Sequence, residues 1–258
     1  MNLRYFKSYE NFLKKIHCYK AFQYILSIFD LKNLLTDLKL IKHPYYSSDI
    51  YKFSTGKHLI KHFDGNMGHQ AKKNSGDIGY GFLHYAFIRA LKPSRVLCIG
   101  SRQGFIPAIC ALACKDNQKG HVDFVDAGKN QGDKKNWGGI GFWKKNDIRE
   151  HFNVFGIETY LSLYIMTSKE FSKKYPKRKY EYMFIDGDHS YEGVKIDFET
   201  FWSKLATKGI MGFHDINLKG LSNNDEYGVW KLWEELKKKN QFSFIKGDNA
   251  VGYLQKNE

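Results

Sequence analysis

Residues 95–104 read RVLCIGSRQG, and residues 121–126 read HVDFVD. Arg95 to Ile99 is a short apolar, partly β-branched run of the kind that fills a parallel strand covered on both faces. It ends on Gly100, which permits a sharp turn and a close backbone approach, and Gly104 opens a helix over about Phe105 to Cys114. The second run closes on a carboxylate, Asp126. This alternation predicts a doubly wound α/β sheet, in which a ligand sits beyond the C-terminal strand ends. Asp126 is then placed to accept both hydroxyls of an adenosine ribose, an arrangement that suits either a nicotinamide cofactor or S-adenosylmethionine. Arg102 occupies the place of the middle glycine of a dinucleotide turn and counts against a pyrophosphate there.

Downstream, the pattern continues. Strands are expected at Glu158–Tyr164, Tyr182–Asp186 and Gly209–His214, with helices at Asp147–Phe155, Ser168–Lys174, Tyr191–Leu205 and Val229–Lys239. Phe242–Ile245 and Val251–Leu254 around Gly247-Asp248-Asn249 read as a closing antiparallel hairpin. Upstream, Gly79–Leu91 reads as a helix ending before Pro93. Tyr45–Gly76 reads as irregular, and its His58, His62, Asp64 and His69 read as exposed loop residues rather than a metal site. Phe6, Tyr9, Phe12, Leu13, Ile16, Tyr19, Phe22 and Leu26 recur at helical spacing among lysines, giving a basic amphipathic helix, and a second helix is expected over Leu31–Ile41. The expected organisation is a helical N-terminal extension over residues 1–75 and an α/β domain over 76–258. The extension suits a lid, an oligomer contact or peripheral contact with the inner membrane.

Composition narrows the class. With 42% apolar residues, 16% aromatic and only 4 Pro, the chain is neither disordered nor collagenous. Its 4 Cys include no Cys-x-x-Cys pair, so they read as reduced, buried thiols, and no apolar run reaches the length of a membrane span. A cytoplasmic location is expected. The net charge of +14 fits an acidic partner without naming one.

Two later strand ends carry the chemistry. Phe184 to Gly193 reads FIDGDHSYEG, and residues 212–216 read GFHDI. Asp186, Asp188 and His189 at one strand end and His214 with Asp215 at the next would together coordinate a hard divalent cation, and His214 pulls the preference from Mg²⁺ toward Mn²⁺. The same carboxylates also serve as caps of the segments that follow.

Taken together, Val96–Ser101 with Gly104, Asp126, the stretch Phe184–Gly193 with Lys195 and Asp197, and Gly209–Asp215 resemble the class I S-adenosylmethionine-dependent methyltransferases. The similarity is to the group that includes macrocin O-methyltransferase and bacterial polysaccharide-cluster sugar O-methyltransferases, and it spans residues 75–254. It implies a Rossmann-like methyltransferase sheet with S-adenosyl-L-methionine as cofactor. Gly100, Ser101 and Gly104 would hold its methionine end, Asp126 its ribose, and Thr167 and Ser168 would lie beside the adenine. Asp186 would be the first metal carboxylate, His189 the general base, and His214 and Asp215 would match a pair of acidic metal ligands. Relatives usually carry a carboxylate where this chain has His214, so a metal-free variant relying on His189 and Asp186 also follows.

Trp137, in the glycine-rich insertion around residues 136–143, is the candidate acceptor platform, with Asp188 and Tyr191 as further substrate contacts. Lys134, Lys135, Lys144 and Lys145 around it suit an anionic acceptor such as a nucleotide-linked sugar used for capsule or lipopolysaccharide synthesis. No DNA partner is expected. An RNA methyltransferase is disfavoured by the lack of an RNA-binding module and of a base-methylating Asn-Pro-Pro-Tyr motif. A non-catalytic adaptor and a homo-oligomer are the remaining expectations.

Overall fold

The computed structural model describes residues 53–65, 68–128, 142–220, 227–238, 240–245 and 249–257. The chain divides into two compact units, Met1–Asp49 and Ile50–Glu258. The helices expected before residue 50, the insertion with Trp137, Lys134 and Lys135, and the tip of the hairpin lie outside the described residues.

The second unit is built on seven strands: β1 Arg95–Ile99, β2 His121–Asp126, β3 Leu161–Ile165, β4 Tyr180–Ile185, β5 Leu205–His214, β6 Gln241–Ile245 and β7 Ala250–Gln255. Their order is β3-β2-β1-β4-β5-β7-β6. The first five are parallel, and β7 inserts antiparallel between β5 and β6. This is the expected Rossmann-like α/β sheet with a C-terminal antiparallel hairpin. The direction of winding reverses between β1 and β4, which opens a crevice at their C-terminal ends.

The helices are α1 Phe53–His62, α2 Gly81–Leu91, α3 Phe105–Asp116, α4 Phe142–Lys145, α5 Ile148–Asn153, α6 Ser168–Lys174, α7 Tyr191–Trp202 and α8 Val229–Glu235. They cover both faces of the sheet, so alternate residues of each central strand enter different cores. Val96 and Cys98 join Ile88, Ile106 and Phe152 on one face. Leu97 and Ile99 join Phe171, Val194 and Phe201 on the other. That double burial is why these strands read as unbroken apolar runs.

Three stretches differ from the sequence reading, the first being Leu205, expected to end a helix, which instead begins β5. Residues 45–76 are not wholly irregular: α1 places Leu59 and Ile60, with Phe63 just beyond it, in the first core. The expected strand at Glu158 begins instead at Leu161, after a turn closed by Tyr160 N–H donating to the Ile157 carbonyl at 2.9 Å. Local capping sets the helices that flank the crevice. Thr167 and Glu170 form a reciprocal capping box on α6, and Ser190 accepts the Gly193 N–H at the start of α7. No described helix is long and apolar enough to cross a membrane.

Candidate active site

Gly100 ends β1 with φ +72°, and a side chain there would lie 2.1 Å from the Asp186 carbonyl oxygen. The first turn therefore packs directly on the end of β4, where Asp186 N–H donates to the Ile99 carbonyl at 2.8 Å. Ser101 and Arg102 continue with positive φ (142° and 44°), a tight turn that exposes backbone to the crevice. Arg102 Nη2 stands 3.5 Å from Asp64 Oδ2. Gly104 caps α3 and lies outside the cavity wall.

A cavity of about 490 Å³ runs from this turn across the strand ends. One end is walled by Gly100, Ser101, Asp126, Thr167 and Ser168. Asp126 is buried; desolvation raises its pKa, opposed by the Gly128 N–H that donates to its Oδ1 at 2.8 Å. These residues suit an adenosyl ligand: a turn with no room for a side chain, and a carboxylate at the end of the neighbouring strand.

The other end of the same cavity gathers Asp186, His189, His214, Asp215, Tyr227 and Asn249. His189 bridges the two carboxylates, with Nε2 3.1 Å from Asp186 Oδ1 and Nδ1 3.3 Å from Asp215 Oδ2. His214 Nδ1 lies 3.3 Å from Asp186 Oδ1 and 3.1 Å from Asp215 Oδ1. Its Nε2 is fixed 3.0 Å from the Gly68 carbonyl. Asn249 donates to Asp215 Oδ1 at 2.8 Å and steadies that side chain.

The charges are strongly coupled. Burial opposes protonation of His214, yet the Asp186 and Asp215 carboxylates overcome it and raise its pKa to about 9. Burial likewise opposes ionisation of Asp186, but the His214 charge and the His189 hydrogen bond hold it well below the usual carboxylate range. Asp215 shifts down in the same way, burial again opposing and His214 prevailing. The Asp186, His189 and His214 ligand atoms lie within 4.8 Å of one another, the spacing of a possible metal-binding group.

His69 is the residue the sequence reading missed. Far from being exposed, it is 5% accessible, with Nε2 3.6 Å from the second oxygen of Asp186 and its ring 4.7 Å from that of His214. Burial, then the His214 charge, lower its pKa to about 4, so it is neutral at physiological pH. Only its place after a loop glycine hinted at this, and a non-local contact over more than 100 residues has no short-range signature.

Of the substrate candidates, Asp188 reaches the cavity wall. Tyr191 does not: its hydroxyl donates to Glu235 at 2.7 Å and accepts from Lys195 at 2.9 Å. Trp137 lies outside the described residues.

Comparison with known proteins agrees with this architecture. Residues 97–216, from β1 to just past Asp215, match a family model described as a methyltransferase domain. A protein of Sinorhizobium fredii, the uncharacterized protein y4gI, is 24% identical over 212 residues, covering 77% of this chain and 20% of its own. The chain thus spans about a fifth of that relative's length. An O-methyltransferase from Bacillus cereus in complex with S-adenosylhomocysteine superposes with TM-score 0.56 at 14% identity, over 82% of this chain and 96% of its own. TomG of Streptomyces achromogenes, an O-methyltransferase of tomaymycin synthesis bound to S-adenosylmethionine, gives 0.54 at 14% identity, over 79% and 89%. The S-adenosylhomocysteine-bound Podospora anserina methyltransferase PaMTH1 gives 0.53 at 15%, over 77% and 87%. A glycine turn packed on the fourth strand and an acidic second-strand end fall within the matched segment, and the chain has the α/β fold of these methyltransferase structures.

Proposed function

We propose that the chain is an S-adenosylmethionine-dependent O-methyltransferase acting on a sugar hydroxyl, carried on a nucleotide-linked sugar. The observation that carries this reading is the shared cavity: the Gly100–Asp126 end and the Asp186–His189–His214–Asp215 end open into one space. The methyl donor at one end and a hydroxyl at the other can therefore meet in line. Three of the superposing structures hold S-adenosylmethionine or S-adenosylhomocysteine, which supports the reading.

In the transfer, the acceptor oxygen attacks the methyl carbon, the carbon–sulfur bond breaks, its electron pair returns to sulfur, and the hydroxyl proton must leave. His189 donates Nε2–H to the Asp186 carboxylate at 3.1 Å, so Nδ1, on the Asp215 side, is the nitrogen that would receive that proton. Asp186 thereby orients the ring and fixes its tautomer, and Asp215, steadied by Asn249, stabilises the charge the ring gains. The wall offers Asp188, Tyr227 and Asn249 as polar groups around the acceptor, a set suited to a polyhydroxylated ring. Arg102 on the same wall suits a phosphate.

Asp186, His189 and His214 also fit a divalent cation, since each brings a donor atom to one place. Such an ion would acidify the acceptor hydroxyl. The test is mass spectrometry of nucleotide sugars incubated with the protein and S-adenosylmethionine, with Mn²⁺ and with EDTA. A gain of one methyl group on the sugar supports the reading. Turnover on RNA, or none on any sugar while the cofactor binds, refutes the acceptor.

A further inference from the structure

His69 lines the cavity, yet none of the steps above employs it. It lies outside the matched segment 97–216, and its own backbone carries it to the site. The Gly68 carbonyl accepts the His214 Nε2–H at 3.0 Å, and the His69 carbonyl accepts the Tyr80 N–H at 2.8 Å. Gly79, at φ +54°, permits the second contact, since a side chain there would meet the His69 carbonyl oxygen at 2.2 Å. The Phe105 ring packs beside the imidazole with centroids 5.5 Å apart. The His69 side chain is therefore brought into the cavity wall and held there.

That packing leaves its polar atoms unsatisfied. Nδ1 is buried without a hydrogen-bond partner, and Nε2 stands 3.6 Å from Asp186 Oδ2, beyond hydrogen-bond length. A buried imidazole with neither nitrogen hydrogen bonded among the described residues is costly unless a ligand completes it. The neighbours identify the ligand. Two donors that sit ~2.1 Å from one tetrahedral ion are about 3.4 Å apart, close to the His69–Asp186 separation. The His214 ring lies 4.7 Å from that of His69, and its Nδ1 is 3.3 Å from Asp186 Oδ1, which His189 Nε2 also reaches at 3.1 Å. Three imidazoles thus surround one carboxylate, His189 and His214 on one oxygen and His69 on the other. Mg²⁺ keeps to oxygen donors and water, whereas imidazole nitrogen suits the borderline transition ions.

We propose that His69 is a ligand of a cation shared with Asp186 and His214, and that it makes the site select a transition ion over Mg²⁺. This rests on the cation fit given above and deepens it; it is independent of which acceptor is methylated. The selectivity then comes from a residue upstream of the segment that carries the other site groups.

The experiment is calorimetric titration of Co²⁺ and, separately, of Mg²⁺ into the full chain without an affinity tag and into His69→Ala and His69→Gln, with visible absorption of the Co²⁺ complex as a second readout. The wild type should bind Co²⁺ at least a hundredfold more tightly than Mg²⁺. Both variants should lose at least tenfold in Co²⁺ affinity while Mg²⁺ binding changes no more than a few-fold, and the Co²⁺ absorption bands should shift as a nitrogen donor is lost. Thermal melting identifies a variant that fails to fold, and His69→Gln, nearer in volume, decides where His69→Ala does not fold. Equal loss of both ions, unchanged Co²⁺ affinity and bands, or a wild type that prefers neither ion overturns the assignment. S-adenosylmethionine titrated into the same samples reads the cofactor separately: a wild type that binds it but no Co²⁺ overturns the ligand alone, and one that binds neither overturns both.

Discussion

His214 Nε2 lies 3.0 Å from the carbonyl oxygen of Gly68. A carbonyl only accepts, so this nitrogen carries a proton, and Nδ1 is left facing Asp186 and Asp215 at 3.3 and 3.1 Å. Two carboxylates on a lone pair would repel it, so the ring without a metal is an imidazolium. Gly68 secures the contact: its φ is +74°, and a side chain there would meet His214 Cε1 at 2.6 Å.

A divalent cation seated on Nδ1 must displace that proton. Mn²⁺ binding at pH 7.5 should therefore release close to one proton, and its affinity should rise with pH until about 9. Titration in two buffers of different ionisation enthalpy measures the release. Binding without proton release would show that His214 is not a ligand.

Stability should follow the same ring. Its folded pKa, about 9, lies above the ordinary imidazole value of 6.5, so its contribution is complete below pH 6.5 and is lost as pH rises through 9. Asp186 and Asp215 shift downward, so theirs is present above the usual carboxylate range and fades as pH falls below it. The metal-free protein should melt highest between these limits. His214→Gln, which leaves two buried carboxylates without their cation, should cost about 3 kcal/mol or more near neutrality. A melting temperature unaffected by the change would contradict the charge assignment.

Gly100→Ala tests the turn. The new methyl group must displace the end of β4 at a backbone angle that disfavours it, at a cost of roughly 2 to 4 kcal/mol. Denaturant melts should show that loss, and cofactor binding should fall with it. A neutral substitution would mean the two strand ends are not packed as described.

His189→Ala should lower kcat by about 10² to 10⁴ while leaving cofactor affinity within a few-fold, because the ring handles the proton and not the nucleoside. Steady-state kinetics with a methylated nucleotide sugar as readout separates the two. Full activity in the variant would move the base elsewhere, with His69 the nearest neutral imidazole to Asp186.

The sheet was legible because its central strands are buried on both faces, so Arg95–Ile99 and His121–Asp126 appear as apolar runs that end on a glycine and an acid. The strand-end residues Asp186, His189, His214 and Asp215 were legible for the same reason, since each follows an apolar run directly. What failed was non-local. His69 and α1 belong to a segment whose polar letters outnumber its buried ones, and only Leu59, Ile60 and Phe63 meeting the core reveals it. Tyr191 sits within the most informative motif, yet helix phase turns it toward Glu235 on α8 rather than into the cavity.

Calorimetric titration of S-adenosylmethionine into the protein and into Asp126→Ala tests whether a cofactor is held between Gly100 and Asp126. One-site binding in the micromolar range, weakened at least tenfold by loss of the ribose carboxylate, is expected. No binding to the wild type, with or without Mn²⁺, would contradict it.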